Sequence, residues 1–316
     1  MADEMANVYI GAEKMHVEAP LVTGCYVELF GESYYRIEHY DQMPPFFMSL
    51  VSSSDHWLFI SSTGGLTAGR IDAESALFPY ETDDKIAAGM EWTGTKTVIH
   101  AQRNGRIQLW EPFSDRYAGL YRCERHLYKN VYGNKLIFEE INHDLQLSYR
   151  YAWRTGDRFG FIRSSWLENH GDAACRVNLL DGLQNIMPYG ATTLLQTAFS
   201  NLLNGYKRNE LDATTGLGIF ALSATLTDRA EPSESLKATV AWQTGLDPIR
   251  YLLCSDQLDT FRRGLPIVAE EDIRGRAGAY LVNAELMLAP DGIRQWHIVA
   301  DVNQDSRDVV NLVRRL

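Results

Sequence analysis

Cysteine is scarce in this chain: Cys25, Cys123, Cys175 and Cys254 are spread over 316 residues, and no two share a CxxC spacing. That excludes the paired-thiol zinc and redox motifs and makes reduced thiols in a cytoplasmic setting the expectation. No apolar run approaches the roughly 18 residues that a membrane span needs. The opening Met1-Ala2-Asp3-Glu4-Met5 has no basic stretch followed by an apolar run, so no signal peptide is expected. Basic clusters are missing too: Lys and Arg are scattered in a chain of net charge −11, which argues against nucleic acid or an anionic membrane as partner. GxGxxG after a strand, the P-loop, HExxH, the EF-hand loop and GxSxG are all absent, so no cofactor is expected. Gly64-Gly65 with Gly69 lacks the Lys-Ser/Thr ending of a phosphate loop and reads as loop glycine. No internal repeat or low-complexity stretch is present.

What the chain does have is alternation. Hydrophobic content of 45% with 22% charged residues allows a sizeable core. Residues 145–154, Leu-Gln-Leu-Ser-Tyr-Arg-Tyr-Ala-Trp-Arg, alternate large apolar with mostly polar side chains. Successive strand residues face opposite ways, so this segment covers a core on one side and is wetter on the other. Between Thr95 and Ile186 the pattern predicts six successive strands, punctuated by Asn104-Gly105, Gly133-Asn134, His143-Asp144, Gly156-Asp157 and His170-Gly171-Asp172. Long antiparallel strands with short turns make a wide sheet that needs a second sheet against it. A mainly β, two-sheet sandwich follows.

Around this stretch, residues 26–30 and 34–38 read as a hairpin, and 46–51 and 56–61 as strands. From 63 to 95 the pattern breaks into a long loop whose aromatic content predicts order; a loop this long in a sandwich tends to be functional. A short helix is expected over 191–203, then strands at 218–226, 238–242, 279–288 and 293–299. Val309, Leu312, Val313 and Leu316 repeat at helical spacing after Asp305-Ser306, which predicts an amphipathic helix. That helix has no C-terminal cap residue, so the expectation is a β domain over 1–304 and, from 305 to 316, the start of a linker in a longer polypeptide.

Chemistry is thinly signposted. Eight histidines occur singly. Glu139-Glu140 is a poor catalytic pair, because neighbouring strand residues point apart, whereas a glycosidase needs two carboxyls across one sugar. Asp83-Asp84, in the long loop, is the better pair. Trp153 and Trp166 read as core, while Tyr80 and Trp92 are placed to touch a ligand. The candidate substrate-adjacent residues are Thr67, Arg70, Tyr80, Asp83, Asp84, Lys85 and Trp92. No residue is assigned as catalytic and none as a metal ligand.

Several segments, in order, resemble the N-terminal domain of the inverting disaccharide phosphorylases of glycoside hydrolase family 94. They are Thr97-Val98-Ile99-His100 with Asn104-Gly105, residues 161–168 with Asn169-His170-Gly171, Ala198-Phe199-Ser200-Asn201-Leu202, Gly275-Arg276-Ala277-Gly278-Ala279, Leu286-Met287-Leu288-Ala289-Pro290-Asp291-Gly292 and Asp305-Ser306-Arg307. The match covers roughly residues 95–316; residues 63–85 and 188–203 depart from it, which suggests a divergent member. The resemblance implies a galactose mutarotase-like supersandwich with a few short helices and a C-terminal linker helix. It further implies a downstream (α/α)6 barrel holding the catalytic acid, inorganic phosphate as co-substrate of the whole enzyme, an oligosaccharide or sugar phosphate as ligand, and homodimer contacts. This chain would then be a non-catalytic wall of the active site. The alternatives are a stand-alone mutarotase-type epimerase, for which His100, His126, Glu139 and Glu124 are available, and a carbohydrate-binding module.

Overall fold

In the computed structural model, residues 8–16, 20–103, 105–224 and 236–316 are described. Asn104 of the expected turn and residues 225–226 of one expected strand lie outside them.

The strands assemble into an eleven-stranded antiparallel sheet faced by a five-stranded and a four-stranded sheet, with a two-stranded ribbon near the start. This is the expected β supersandwich. Leu147–Gly156 shows how it forms. Its Leu147, Tyr149, Tyr151 and Trp153 are buried in the main core, which also takes Ile99, Val177 and Val282 from the five-stranded sheet and Leu58, Ile60 and Phe78 from the four-stranded one. Both small sheets therefore cover one face of the large sheet.

At the centre of that interface the core turns polar. Asp181 accepts from Thr97 Oγ1 (2.6 Å), Tyr149 OH (3.1 Å) and Trp296 Nε1 (2.6 Å), and pairs with Arg163. Arg163 also donates to the Gly182 carbonyl at 2.8 Å. Both side chains of the ion pair are 0% exposed, a placement tolerated because nearly every lone pair finds a donor.

The other face of the large sheet is curled. Phe30 and Gly31 form the two-residue turn joining Thr23–Leu29 to Glu32–Glu38, both at positive φ, as a tight hairpin requires. Phe30 stacks on Trp166 at 5.1 Å, although four strand spacings, about 19 Å on a flat sheet, separate Glu32–Glu38 from Gly160–Asn169. The sheet edge has rolled over its own surface, and Tyr34, Tyr128, Ile137, Ala152 and Trp166 fill the hollow.

Three expectations are corrected. The predicted long loop contains the strands Leu66–Arg70 and Ala76–Phe78 and the helix Asp83–Ala88. Gly64 makes a turn at φ +94°, and a Cβ on Gly65 would lie 1.9 Å from the Ile86 carbonyl oxygen, so these glycines seat the helix closely rather than leaving a loop free. The second predicted strand of the meander is two, Arg106–Trp110 and Cys123–Asn130, in different sheets. Residues 111–122 carry the chain between them; Pro112 lacks an N–H for the ladder and Phe113 sits at φ 64°. The helix predicted over 191–203 is broken at Phe199 into Thr193–Ala198 and Ser200–Tyr206. The last helix, Ser306–Val313, opens with an Asp305–Asp308 capping box. Its Val309, Leu312 and Val313 pack on Val240, Trp242 and Val299 of the large sheet.

Candidate functional site

The crossing of residues 111–122 from one sheet to the other leaves a cavity of about 410 Å³ at the end of the sandwich, closed by residues 39–45, Thr63 and Met90. That volume lies in the range of small-ligand sites. Glu140 reaches it from Leu136–Asn142, accepting from Trp110 Nε1 (2.7 Å), the Phe113 amide (2.7 Å) and Arg125 Nε (2.8 Å). Arg125 extends the chain of contacts to Asp115 (3.1 Å) and the Ser114 carbonyl (3.1 Å). Glu140 faces inward and Glu139 outward, as their adjacency on a strand dictates.

A second chain of charge borders the cavity. Lys96 bridges Glu91 (2.6 Å) and Glu111 (2.8 Å), and Arg262 binds Glu111 through two nitrogens at 2.8 Å each. Burial pushes the Glu111 carboxyl up, but Arg262 and Lys96 outweigh it and hold it below its ordinary value. Glu91 follows the same pattern, with Lys96 overcoming desolvation. Ser114 donates to Glu91 at 2.6 Å and ties the two chains together. The cavity wall thus carries two carboxylates fixed by cations, Glu140 by Arg125 and Glu111 by Lys96 and Arg262.

On the outer face, Glu124 contacts His143 Nε2 (3.0 Å) and His126 Nε2 (3.6 Å). The ring of His39 meets His126 edge-on at 5.4 Å. Glu139 is the cross-strand partner of His126 and is held by Arg150 and Tyr128. Of the four residues available to an acid–base reading, Glu124, His126 and Glu139 therefore come together. His100 does not: it lies on the outer face of the five-stranded sheet, stacked on Phe261. Burial lowers His126 below its ordinary value, so the imidazole is neutral near neutrality.

The seven loop candidates are dispersed. Thr67 is buried, and Arg70 is fixed between Asp55 (2.8 Å) and Asp301 (3.1 Å). Asp83, Asp84 and Lys85 form the exposed first turn of Asp83–Ala88. Tyr80 packs edge-on against Trp57 at 5.5 Å, and Trp92 is exposed. Their segment reaches the cavity through Thr63 and Met90. Sequence reasoning missed Arg125, Glu140 and the 111–122 crossing. The available signal was Pro112 followed by Ser114-Asp115, a strand-breaking cluster inside an apparent strand.

No protein-family model matches the chain, and no curated protein matches it. Among solved structures, a candidate aldose 1-epimerase from Escherichia coli K12 is 11% identical with a TM-score of 0.43, over 82% of this chain and 99% of that one. A second, from Klebsiella pneumoniae subsp. pneumoniae, is 10% identical with a TM-score of 0.41, over 93% and 90%. A polysaccharide lyase is 10% identical with a TM-score of 0.45 over 86% of this chain, which spans 34% of the lyase. These likenesses concern the course of the chain and assign no chemistry. Among the described residues, no helix is long and apolar enough to cross a membrane.

Proposed function

We propose that this sandwich is the supporting, sugar-binding part of a carbohydrate-active enzyme, and that the end cavity holds a saccharide unit. The observation that carries the reading is the state of the cavity's buried carboxylates. Glu140 is clamped by Arg125, and Glu111 by Lys96 and Arg262. Fixed acceptors and donors suit the hydroxyls of a sugar, whereas general acid–base catalysis needs a carboxyl or imidazole free to exchange its proton. A downstream (α/α)6 barrel would supply that group, with inorganic phosphate as co-substrate if the whole enzyme is a disaccharide phosphorylase. Trp92, next in sequence to Glu91, would meet a longer oligosaccharide outside the cavity. Homodimer contacts belong to the same proposal.

The test is calorimetric titration of the chain with glucose, cellobiose and N,N′-diacetylchitobiose, alongside polarimetry for turnover. Expected are a Kd of about 1 mM for at least one sugar, its weakening in Arg125→Met, and no turnover. Absence of binding by all three sugars would sink the proposal. Turnover would favour a second reading, a mutarotase-type epimerase. One observation speaks for it: Glu124 stands between two imidazoles at the cavity edge. Mutarotation abolished by Glu124→Gln would establish it.

A further inference from the structure

The outer face of the five-stranded sheet carries a second cavity, of about 370 Å³, lined by none of the residues that line the first. Its floor is one face of three adjacent strands. Gly94–Arg103 contributes His100 and Gln102, Cys175–Ile186 contributes Arg176 and Asn178, and Gly278–Leu288 contributes Asn283 and Glu285. Alternation puts these polar residues together, because their neighbours Ile99, Ala101, Val177, Leu179, Val282 and Ala284 point into the main core. The roof is the helix Leu258–Arg262 with the turn after it. Phe261 lies over the His100 ring at 4.7 Å and 25°, and Leu265, Pro266 and Ile267 continue the apolar wall. Ile107, exposed, stands at the edge of the sheet.

Three kinds of recognition group meet here. The first is an amide set: Asn283 Nδ2 donates to Asn178 Oδ1 at 2.7 Å and to the Leu179 carbonyl at 3.0 Å, so both asparagines are oriented in advance. The second is the aliphatic wall. The third is a cation: Arg176 is paired with Glu285 at 2.6 Å, whereas Arg250 has no carboxylate at ion-pair distance among the described residues. Its Nη1 donates to the Asn283 amide oxygen at 3.5 Å. Burial lowers His100, which therefore adds no second positive charge near neutral pH.

We propose that this groove binds an acidic saccharide unit of the hexuronate type. The carboxylate would pair with Arg250, the hydroxyls with Gln102 and Asn178, and the C–H face of the ring with Leu265 and Ile107. A neutral sugar leaves Arg250 unused, and a small carboxylate leaves the amides and the aliphatic wall unused. The inference does not depend on the end cavity, since the two sites share no lining residue.

Methyl β-D-glucuronoside, methyl β-D-glucoside and acetate are titrated separately into the full chain by two-dimensional NMR. The glucuronoside should perturb the backbone amides of Gln102, Asn178 and Asn283, with affinity at least about tenfold above either control, the worth of one well-placed charged contact. Arg250→Gln, at an exposed position, should remove that advantage while leaving the glucoside unchanged, and Leu265→Ser should weaken the glucuronoside severalfold. Equal affinity for glucuronoside and glucoside, an unaffected Arg250→Gln, or shifts confined to the end cavity would each overturn the assignment. So would silence of these amides toward all three probes.

Discussion

Two arginine–carboxylate networks of similar make-up sit in unlike surroundings. Arg163 and Asp181 lie where the sheets close on each other, and both side chains are fully buried. Arg125, Glu140 and Asp115 lie where residues 111–122 hold the sheets apart at one end; there the side chain of Asp115 is 72% exposed. The first joins the layers. The second has the same charges but leaves polar groups facing a hollow, the place where the proposed saccharide would sit. What separates glue from site here is the path of the backbone, not the residue types.

The sharpest way to break this comparison is Asp181→Ala. It strands the Arg163 charge among Tyr149, Trp296 and the Gly182 carbonyl, and should cost about 3–5 kcal/mol in urea unfolding; a loss no larger than that of a surface substitution would refute the structural role. Glu140→Ala removes the acceptor for Trp110, Phe113 and Arg125. Arg125 can turn to the cavity, so the loss should be smaller, about 1–3 kcal/mol, with sugar binding weakened. Equal losses from the two variants would erase the distinction.

A third measurement uses pH. Desolvation lowers His56, His100, His126 and His297. The unfolded chain protonates such residues first, so their contribution is complete above about pH 6.5 and drains away as pH falls toward the folded values. The urea midpoint should therefore be lower at about pH 5.5 than at about pH 7.5, and less so in His126→Gln. Identical midpoints would show the buried imidazoles to be unimportant. The smallest effect belongs to the rolled edge. Phe30→Ala loses one stacked ring pair, about 0.5–1.5 kcal/mol beyond its area, and should raise amide exchange in Thr23–Leu29.

Much of the fold was legible in the residues. The period-two segment in 145–154 became Leu147–Gly156, and the Pro290-Asp291-Gly292 turn joins Gly278–Leu288 to Ile293–Asp305. The helical spacing of Val309, Leu312 and Val313 became Ser306–Val313. The stretch 63–95 was less legible, because Leu66–Arg70 is buried on both faces and shows no alternation. The site was hardly legible at all. Glu140 looked like half of an unusable pair, and nothing marked Arg125 as its partner.

The sequence by itself determined the alternating strands such as Leu147–Gly156, the turns that join them and which of their side chains look inward, because alternation and turn chemistry act over a few neighbouring residues. The tertiary structure alone decided that Gly94–Arg103 and Cys123–Asn130 belong to different sheets and that a cavity opens between them. It also decided that Glu111 is neutralised by Arg262, 151 residues away. Such pairings are selected by the closing of whole layers on one another, and no local pattern along the chain encodes the distance that closure will leave.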